Sequence, residues 1–288
     1  MTRSLVLAVL LLSSAAGQYT GSDTCAKCHP KQYADQSKSG HARALSARGD
    51  ASEWAFGAGD QAVTFVSLLN SEAYLEHGLT YYARSKSMAL TPGHTSAEGV
   101  KYRTFDPNAA ILRCFQCHST GPLRLEAGSR VKPFETGVRC ESCHGPGEAH
   151  STTKGPIANP KHRSAAEVND LCGACHRKTS AEEYTNWDDA WNVRHQPLYL
   201  AQSACFLKSA GKLSCFTCHT PHSPVSRSAE EYSAVCRSCH ETARHKVVVS
   251  KQACAACHMP VVDLDDNLRF ANHWIGIYAA GKKLRPLR

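Results

Sequence analysis

The sequence predicts a mainly α fold with much irregular loop and a small β-hairpin in an N-terminal lobe. Three observations carry this. Fourteen of the fifteen cysteines stand in seven C-x-x-C pairs, each followed at once by a histidine. After Cys114 the pairs recur at intervals of 26, 32, 43, 21 and 18 residues. Gly/Pro turns such as Gly145-Pro146-Gly147 and Thr220-Pro221 separate them, which leaves little chain for a polypeptide core. Before Cys114, residues 61–69 and 72–84 are rich in β-branched and aromatic residues around Asn70-Ser71, the pattern of two strands and a tight turn.

Residues 1–17 read as an export signal. Arg3 gives a positive start, Leu5 to Leu12 form an apolar run too short to span a bilayer, and Ser14-Ala15-Ala16-Gly17 supply small residues for cleavage. No later stretch reaches the roughly 18 apolar residues of a membrane helix, so the expected location is periplasmic or extracellular. Residues 18–113 form the N-terminal lobe, because 89 residues separate Cys25 from Cys114. Residues 114–288 carry the other six pairs, and both regions are expected within one compact domain.

The seven motifs, numbered 1 to 7 along the chain, are Cys25-Ala-Lys-Cys28-His29, Cys114-Phe-Gln-Cys117-His118, Cys140-Glu-Ser-Cys143-His144, Cys172-Gly-Ala-Cys175-His176, Cys215-Phe-Thr-Cys218-His219, Cys236-Arg-Ser-Cys239-His240 and Cys254-Ala-Ala-Cys257-His258. On a helical turn, residues i, i+3 and i+4 share a face. Two thiols can then each form a thioether to a porphyrin vinyl group, and the histidine lies where it binds the iron as proximal ligand; C-x-x-C-H is the haem c attachment spacing. Zinc would use paired motifs or a Cys/His set and gives no reason for a histidine after every pair. A thioredoxin-like motif occurs once in a βαβ setting, and disulfides within pairs leave the histidines unexplained. The expectation is seven covalently bound haems c, packed as the apolar mass of the fold.

Each iron needs a sixth ligand or an open position. Methionine is the usual alternative to histidine, but only Met1, Met88 and Met259 exist, and Met259 directly follows a proximal histidine. Mostly bis-histidine ligation follows. Nine histidines lie outside the motifs: His41, His77, His94, His150, His162, His195, His222, His245 and His273. His222 comes three residues after His219, and three residues span at most about 10 Å, too little to pass round a porphyrin. It must therefore serve a neighbouring haem, and His150, six residues after His144, is read the same way. His77 falls on the second predicted strand, where a packed strand histidine is the plainer reading. Trp54, Phe56, Tyr81 and Tyr82 are expected to pack against haem or the hairpin.

The formal net charge of +8 does not imply nucleic acid. Fourteen propionates offset it, leaving the oxidised protein about neutral and the reduced one about seven charges more negative, so reduction should raise nearby propionate or histidine pKa values. A midpoint potential flat between pH 5 and 9 would contradict that coupling. The basic tail from Lys282 to Arg288 reads as solvated. Cys205 has no partner at the motif spacing and is expected to be a buried thiol.

Several segments resemble multihaem cytochromes of the cytochrome c-552/4 type, a family related to the hydroxylamine-oxidation shuttle and to nitrite and tetrathionate reductases. They are Cys25 to His29 with Gln32-Tyr33 and Ser39-Gly40-His41-Ala42, the stretch from Gly137 to His150, Cys218-His219-Thr220-Pro221-His222, and Cys257-His258-Met259-Pro260. The resemblance implies that His41, His150, His222 and His245 are distal ligands, then His273, with His94 and His162 next; His77 and His195 are the spares. The related nitrite reductases bind substrate at a haem held by C-x-x-C-K. Every motif here ends in histidine, so that site is absent. The leading expectation is an electron carrier with no catalytic residues, serving redox protein partners. One alternative is a reductase of a small nitrogen or sulfur oxyanion at a five-coordinate haem, with His77, Tyr81, Arg103 or His195 as donors. Another is a subunit of a conductive cytochrome assembly or other oligomer.

Overall fold

The computed structural model describes residues 17–287 apart from 50–52, 71–72, 104–109, 128–129, 181–184, 242–244 and 246–252. Apart from Gly17, the expected export signal lies outside the described residues. Three antiparallel sheets accompany the helices, so the fold is not mainly α as its motifs suggest.

The N-terminal lobe opens with α1 (Ser22–Ala26) and α2 (Pro30–Gln36). A six-stranded sheet follows, made of β1 (Leu45–Arg48), β2 (Glu53–Phe56), β3 (Ala62–Asn70), β4 (Ala73–Tyr82), β5 (Ser87–Leu90) and β6 (Val100–Arg103). The expected hairpin is present as β3–β4, with Asn70 opposite Ala73. The other four strands correct the reading of a lone hairpin. A two-stranded ribbon is marginal in water, and here β1 and β2 extend it on one edge. The far edge of β4 is shared, residues 79–82 pairing with β5 and residues 73–76 with β6.

The sheet buries its face against motif 2. This motif ends α3 (Ala110–His118), which runs into the hairpin of β7 (Ser119–Glu126) and β8 (Arg130–Thr136). Leu45, Trp54, Phe56, Val66 and Tyr74 of the sheet form one apolar cluster with Ile111, Phe115 and Val131. The Val131 amide also donates to the Tyr74 hydroxyl at 2.8 Å, tying β8 to β4. One core therefore draws on both sides of the Cys114 motif.

The rest is short helices and turns: α4 (Cys140–His144), α5 (Glu148–Thr153), α6 (Ala165–His176), α7 (Gln196–Ala201), α8 (Ala204–Lys208), α9 (Cys215–Cys218), α10 (Ala229–Arg237) and α11 (Cys254–His258). Short 3-10 turns at Pro160–His162 and Ala190–Arg194, and a strand pair of β9 (Val261–Asp263) with β10 (Arg269–Ala271), complete it. Ser164 and Glu167 form a reciprocal capping box that starts α6, and motif 4 closes that helix. A second cluster packs Val193, Tyr199 and Val262 with Trp187 and Trp274.

Gly137 fixes how motif 3 meets the N-terminal lobe. Its φ is +77°, and a Cβ there would come 2.1 Å from the Ala42 carbonyl oxygen. The next residue, Val138, donates its amide to the His41 carbonyl at 2.8 Å and accepts from the Gln36 side chain at 2.7 Å. Gly137→Ala should therefore cost at least the roughly 1–2 kcal/mol of a left-handed non-glycine residue and move the segment carrying His41. A denaturant midpoint equal to that of the parent would show that this close approach is not needed.

Candidate haem-iron centres

Each motif forms the local turn that its spacing requires. The amide of the motif histidine bonds back to the carbonyl of the first cysteine in motif 1 (2.9 Å), motif 5 (2.9 Å) and motif 6 (3.0 Å). Both thiols and the imidazole are thereby turned to one side. None of the fifteen cysteines is joined in a disulfide. Among the described residues, no group of three or more His, Cys, Asp or Glu is assembled for a bare metal ion.

Five motif histidines each face a histidine from elsewhere in the chain. Ring centroids are 6.4 Å apart for His29 and His150, 6.2 Å for His41 and His176, and 6.1 Å for His144 and His222. For His219 and His273 the separation is 6.3 Å, and for His245 and His258 it is 6.2 Å. Two metal–imidazole bonds of about 2 Å each, added to the half-widths of two rings, place centroids roughly 6 Å apart. The spacing therefore fits an iron between each pair. His222 lies against His144 and not against its neighbour His219.

Hydrogen bonds set the ring tautomers. The Nδ1 of His118 lies 2.9 Å from the Ala44 carbonyl, that of His144 2.8 Å from Ala158, and that of His258 2.9 Å from Gly276. His150 and His273 make the same bond to Gly155 (2.7 Å) and Ala271 (3.0 Å). A carbonyl only accepts, so Nδ1 carries the proton and Nε2 keeps its lone pair for a metal. Burial adds to this by holding the His41, His176 and His219 imidazoles below their usual pKa. It takes His273 down to about 4. All four are then neutral near pH 7, as ligation requires.

The other candidates sit differently. The His94 Nε2 is 3.3 Å from the Glu76 carboxylate, which also accepts from the Tyr102 hydroxyl at 2.9 Å. His162 lies on the exposed turn at Pro160–His162. Neither faces a motif histidine among the described residues. The His77 Nε2 bonds to the Ser67 hydroxyl at 2.7 Å across β3–β4. The Nδ1 of His195 is buried without a partner. Burial, with Arg177 and Arg194 nearby, lowers its pKa to about 4. Cys205 is half-buried rather than buried, and it lies on α8 near the thiols of Cys218, Cys236 and Cys239.

Among the described residues, the rings of His118 and His240 face no second histidine. His118 instead packs edge-on against Phe56 at 5.4 Å and borders a cavity of about 350 Å³. His77, Tyr81 and His195 do not line this cavity.

The attachment thiols also lie near one another in a definite order. Cys25 lies against Cys140, Cys143 near Cys172, and Cys172 against Cys215. Cys218 lies near Cys236, and Cys236 against Cys254. Motifs 1, 3, 4, 5, 6 and 7 thus form one run. Motif 2 joins it from the side, through Cys117 against Cys175 of motif 4.

Sequence reasoning treated the residues inside each motif as spacers, and two of them are structural anchors. Phe115, between the thiols of motif 2, is 0% exposed and meets Trp54 and Phe56 edge-to-face at 5.2 and 5.0 Å. Glu141, inside motif 3, is 2% exposed. Its carboxylate accepts the amides of Thr20 (3.0 Å), Gly21 (2.8 Å) and Gly147 (2.7 Å). Asn169 and Asn272 are likewise buried. The first accepts from the Cys215 amide at 3.0 Å, and the second accepts from the Trp274 amide at 2.8 Å, beside His273. Glu141 is the only acidic residue among the fourteen spacer positions, which was the available signal for it; nothing local marked the asparagines.

A family model described as cytochrome c554 and c-prime matches residues 77–145, the stretch holding motifs 2 and 3. The chain is similar to the C-type polyheme cytochrome OmcB of Geobacter sulfurreducens, 28% identical over 157 residues covering 50% of this chain and 19% of that protein. It is also similar to the multiheme cytochrome MtrA of Shewanella baltica, 25% identical over 173 residues covering 54% of this chain and 47% of that protein. The chain thus spans about a fifth of the first relative and about half of the second. Among solved structures, the outer cell wall cytochrome OcwA is similar with a TM-score of 0.53 at 12% identity, over 89% of this chain and 79% of that one. An undecaheme cytochrome from the S-layer of Carboxydothermus ferrireducens gives 0.46 at 18% identity, over 78% and 43%. The OcwA likeness is one of fold. Repeated attachment motifs, paired imidazoles, the family match and the likeness to OmcB and MtrA together make the chain a multihaem c-type cytochrome, with covalently bound haem c.

Proposed function

We propose that the chain is a heptahaem electron carrier whose haems are mostly bis-histidine ligated. Bound haem supplies an iron that takes up and gives back one electron. The observation that carries the reading is the fivefold recurrence of a motif histidine facing a non-motif histidine at 6.1–6.4 Å. The polypeptide does the rest. His41, His150, His222, His245 and His273 would each hold an iron together with the motif histidine they face, and carbonyls hold several of the rings in the ligating tautomer. The nearness of successive thiols keeps neighbouring attachment sites adjacent along the run from motif 1 to motif 7. Redox proteins serve as donor and acceptor. The expected location is exported, periplasmic or extracellular, in keeping with the outer cell wall setting of OcwA. No helix among the described residues is long and apolar enough to cross a membrane.

The test combines mass with low-temperature EPR of the oxidised protein. Mass should give seven haems, and EPR should be dominated by low-spin bis-imidazole iron. His222→Ala should convert one low-spin iron to high-spin without loss of haem, whereas His162→Ala should change neither count. A spectrum with most irons high-spin in the parent protein would overturn the reading.

A second reading, a site for small ligands at one five-coordinate haem, rests on His118, which like His240 faces no second histidine among the described residues and which also borders a cavity. It predicts one high-spin signal that responds to nitrite or cyanide.

A further inference from the structure

The cavity beside His118 combines an apolar wall with a single uncommitted cation. Phe56, Ala62, Pro92, Leu268 and Phe270 supply most of the wall, and Asp60, Gln61, Thr64 and Arg194 supply polar groups. Three of those four are already engaged. Asp60 is paired with Arg43 at 3.1 Å, the Thr64 hydroxyl bonds that of Thr80 at 2.8 Å, and the Gln61 amide donates to the Arg269 carbonyl at 3.4 Å. Arg194 differs. It ends the 3-10 turn Ala190–Arg194, and its guanidinium lies 5.5 Å from the centroid of the Trp191 ring. No carboxylate of the described residues lies within ion-pair distance of it, and it donates no side-chain hydrogen bond among them. The residue is exposed, and the acidic group that acts on it, Asp189 at the head of the same turn, does so from beyond ion-pair distance.

A guanidinium presents its donors as a planar fork that matches a carboxylate or a small oxyanion in two-point contact. Apolar walls lower the local dielectric, which strengthens such a contact relative to open water. Asp60 is the other charge on the cavity, and Arg43 already neutralises it. The cavity therefore has the electrostatics of an anion site, reached from a part of the chain 76 residues beyond His118.

We propose that Arg194 is the oxyanion-binding residue of the His118 centre. Its partner is either a propionate of the haem attached at Cys114 and Cys117 or a free oxyanion of nitrite size. The inference rests on a haem being attached at motif 2.

The experiment compares the holoprotein with Arg194→Gln and Arg194→Lys, at equal haem content by mass. Peptide mapping first verifies haem on Cys114 and Cys117. If the partner is a propionate, Arg194→Gln lowers the midpoint potential of one haem and shifts a propionate carboxylate band in redox-difference infrared spectra. Nitrite affinity is then unchanged. If the partner is a free oxyanion, Arg194→Gln weakens nitrite binding about tenfold or more, as expected for a lost charge-assisted hydrogen bond. Binding of neutral imidazole to the same iron stays constant, and the infrared bands stay in place. Arg194→Lys, which keeps the charge but not the fork, should fall between parent and glutamine variant in either case. The proposal is overturned if all three proteins share the same potentials, infrared bands and nitrite affinity. A motif 2 peptide without haem would overturn the haem assignment itself, and the proposal with it.

Discussion

Glu141→Ala is expected to destabilise the protein by about 3 kcal/mol or more, from leaving one buried amide (Gly147) and two half-buried ones (Thr20 and Gly21) each short of an acceptor at roughly 1–3 kcal/mol apiece. The position explains the size. Thr20 and Gly21 lead into α1, which holds Cys25, and Gly147 leads into α5, which holds His150. One carboxylate thus fixes the starts of both segments that supply the His29–His150 pair. It does so from within motif 3, whose Cys140 lies against Cys25. Glutamine keeps the shape but turns an NH2 group toward one of the amides, so Glu141→Gln should lose less, about 1–3 kcal/mol. The measurement is denaturant unfolding followed by far-ultraviolet circular dichroism at matched haem content, with EPR alongside. The alanine variant should lose one low-spin centre before any other. A loss below about 1 kcal/mol with an unchanged spectrum would mean that water replaces the carboxylate at no cost.

What the sequence revealed and what it hid follow one division, between local and long-range geometry. The motif turns are local. Positions i, i+3 and i+4 share a face whatever the rest of the chain does, so the attachment residues could be named from spacing. The strand pair β3–β4 was legible for the same reason, being long and interrupted at a single point. β1, with Leu45-Ser46-Ala47-Arg48, and β5, with Ser87-Met88-Ala89-Leu90, are four residues each and carry no β-branched residue. They are strands because β2 and β4 offer them edges to pair with, and such tertiary support leaves no mark in a local pattern.

Axial partners are long-range by construction. His41 reaches His176, and His29 reaches His150, across most of the intervening chain. Chain reach could only say where His222 does not go, because three residues cannot round a porphyrin. The position of His94 shows the limit in the other direction. Thr91-Pro92-Gly93 before it is a turn that any histidine might follow, and Glu76 and Tyr102, which engage it, lie on strands the sequence pattern did not resolve together. Charge behaved similarly. The net positive charge was readable as a counterweight to propionates, but which cation would face a cavity depended on the turn at Ala190–Arg194 meeting the sheet near Phe56.

Phe115→Ala is expected to cost about 3–5 kcal/mol, the range for removing a phenylalanine from a packed core. The ring is fully buried, and its edge-to-face contacts with Trp54, Phe56 and Tyr74 each add about 0.5–1.5 kcal/mol beyond area alone. Because Phe115 stands between Cys114 and Cys117, its loss also frees the helix that aims His118, and the 2.9 Å bond from His118 to Ala44 should loosen with it. The sharpest control lies in the same chain. Phe216 occupies the identical spacer position in motif 5, but it is half-buried and lies outside both apolar clusters. Phe216→Ala should cost clearly less under the same denaturant assay, and hydrogen exchange should rise in α3 only for the Phe115 variant. Equal losses at the two positions would mean that the spacer phenylalanine acts through its own haem and not through the sheet, and the account of motif 2 as an element anchored in the β core would fail.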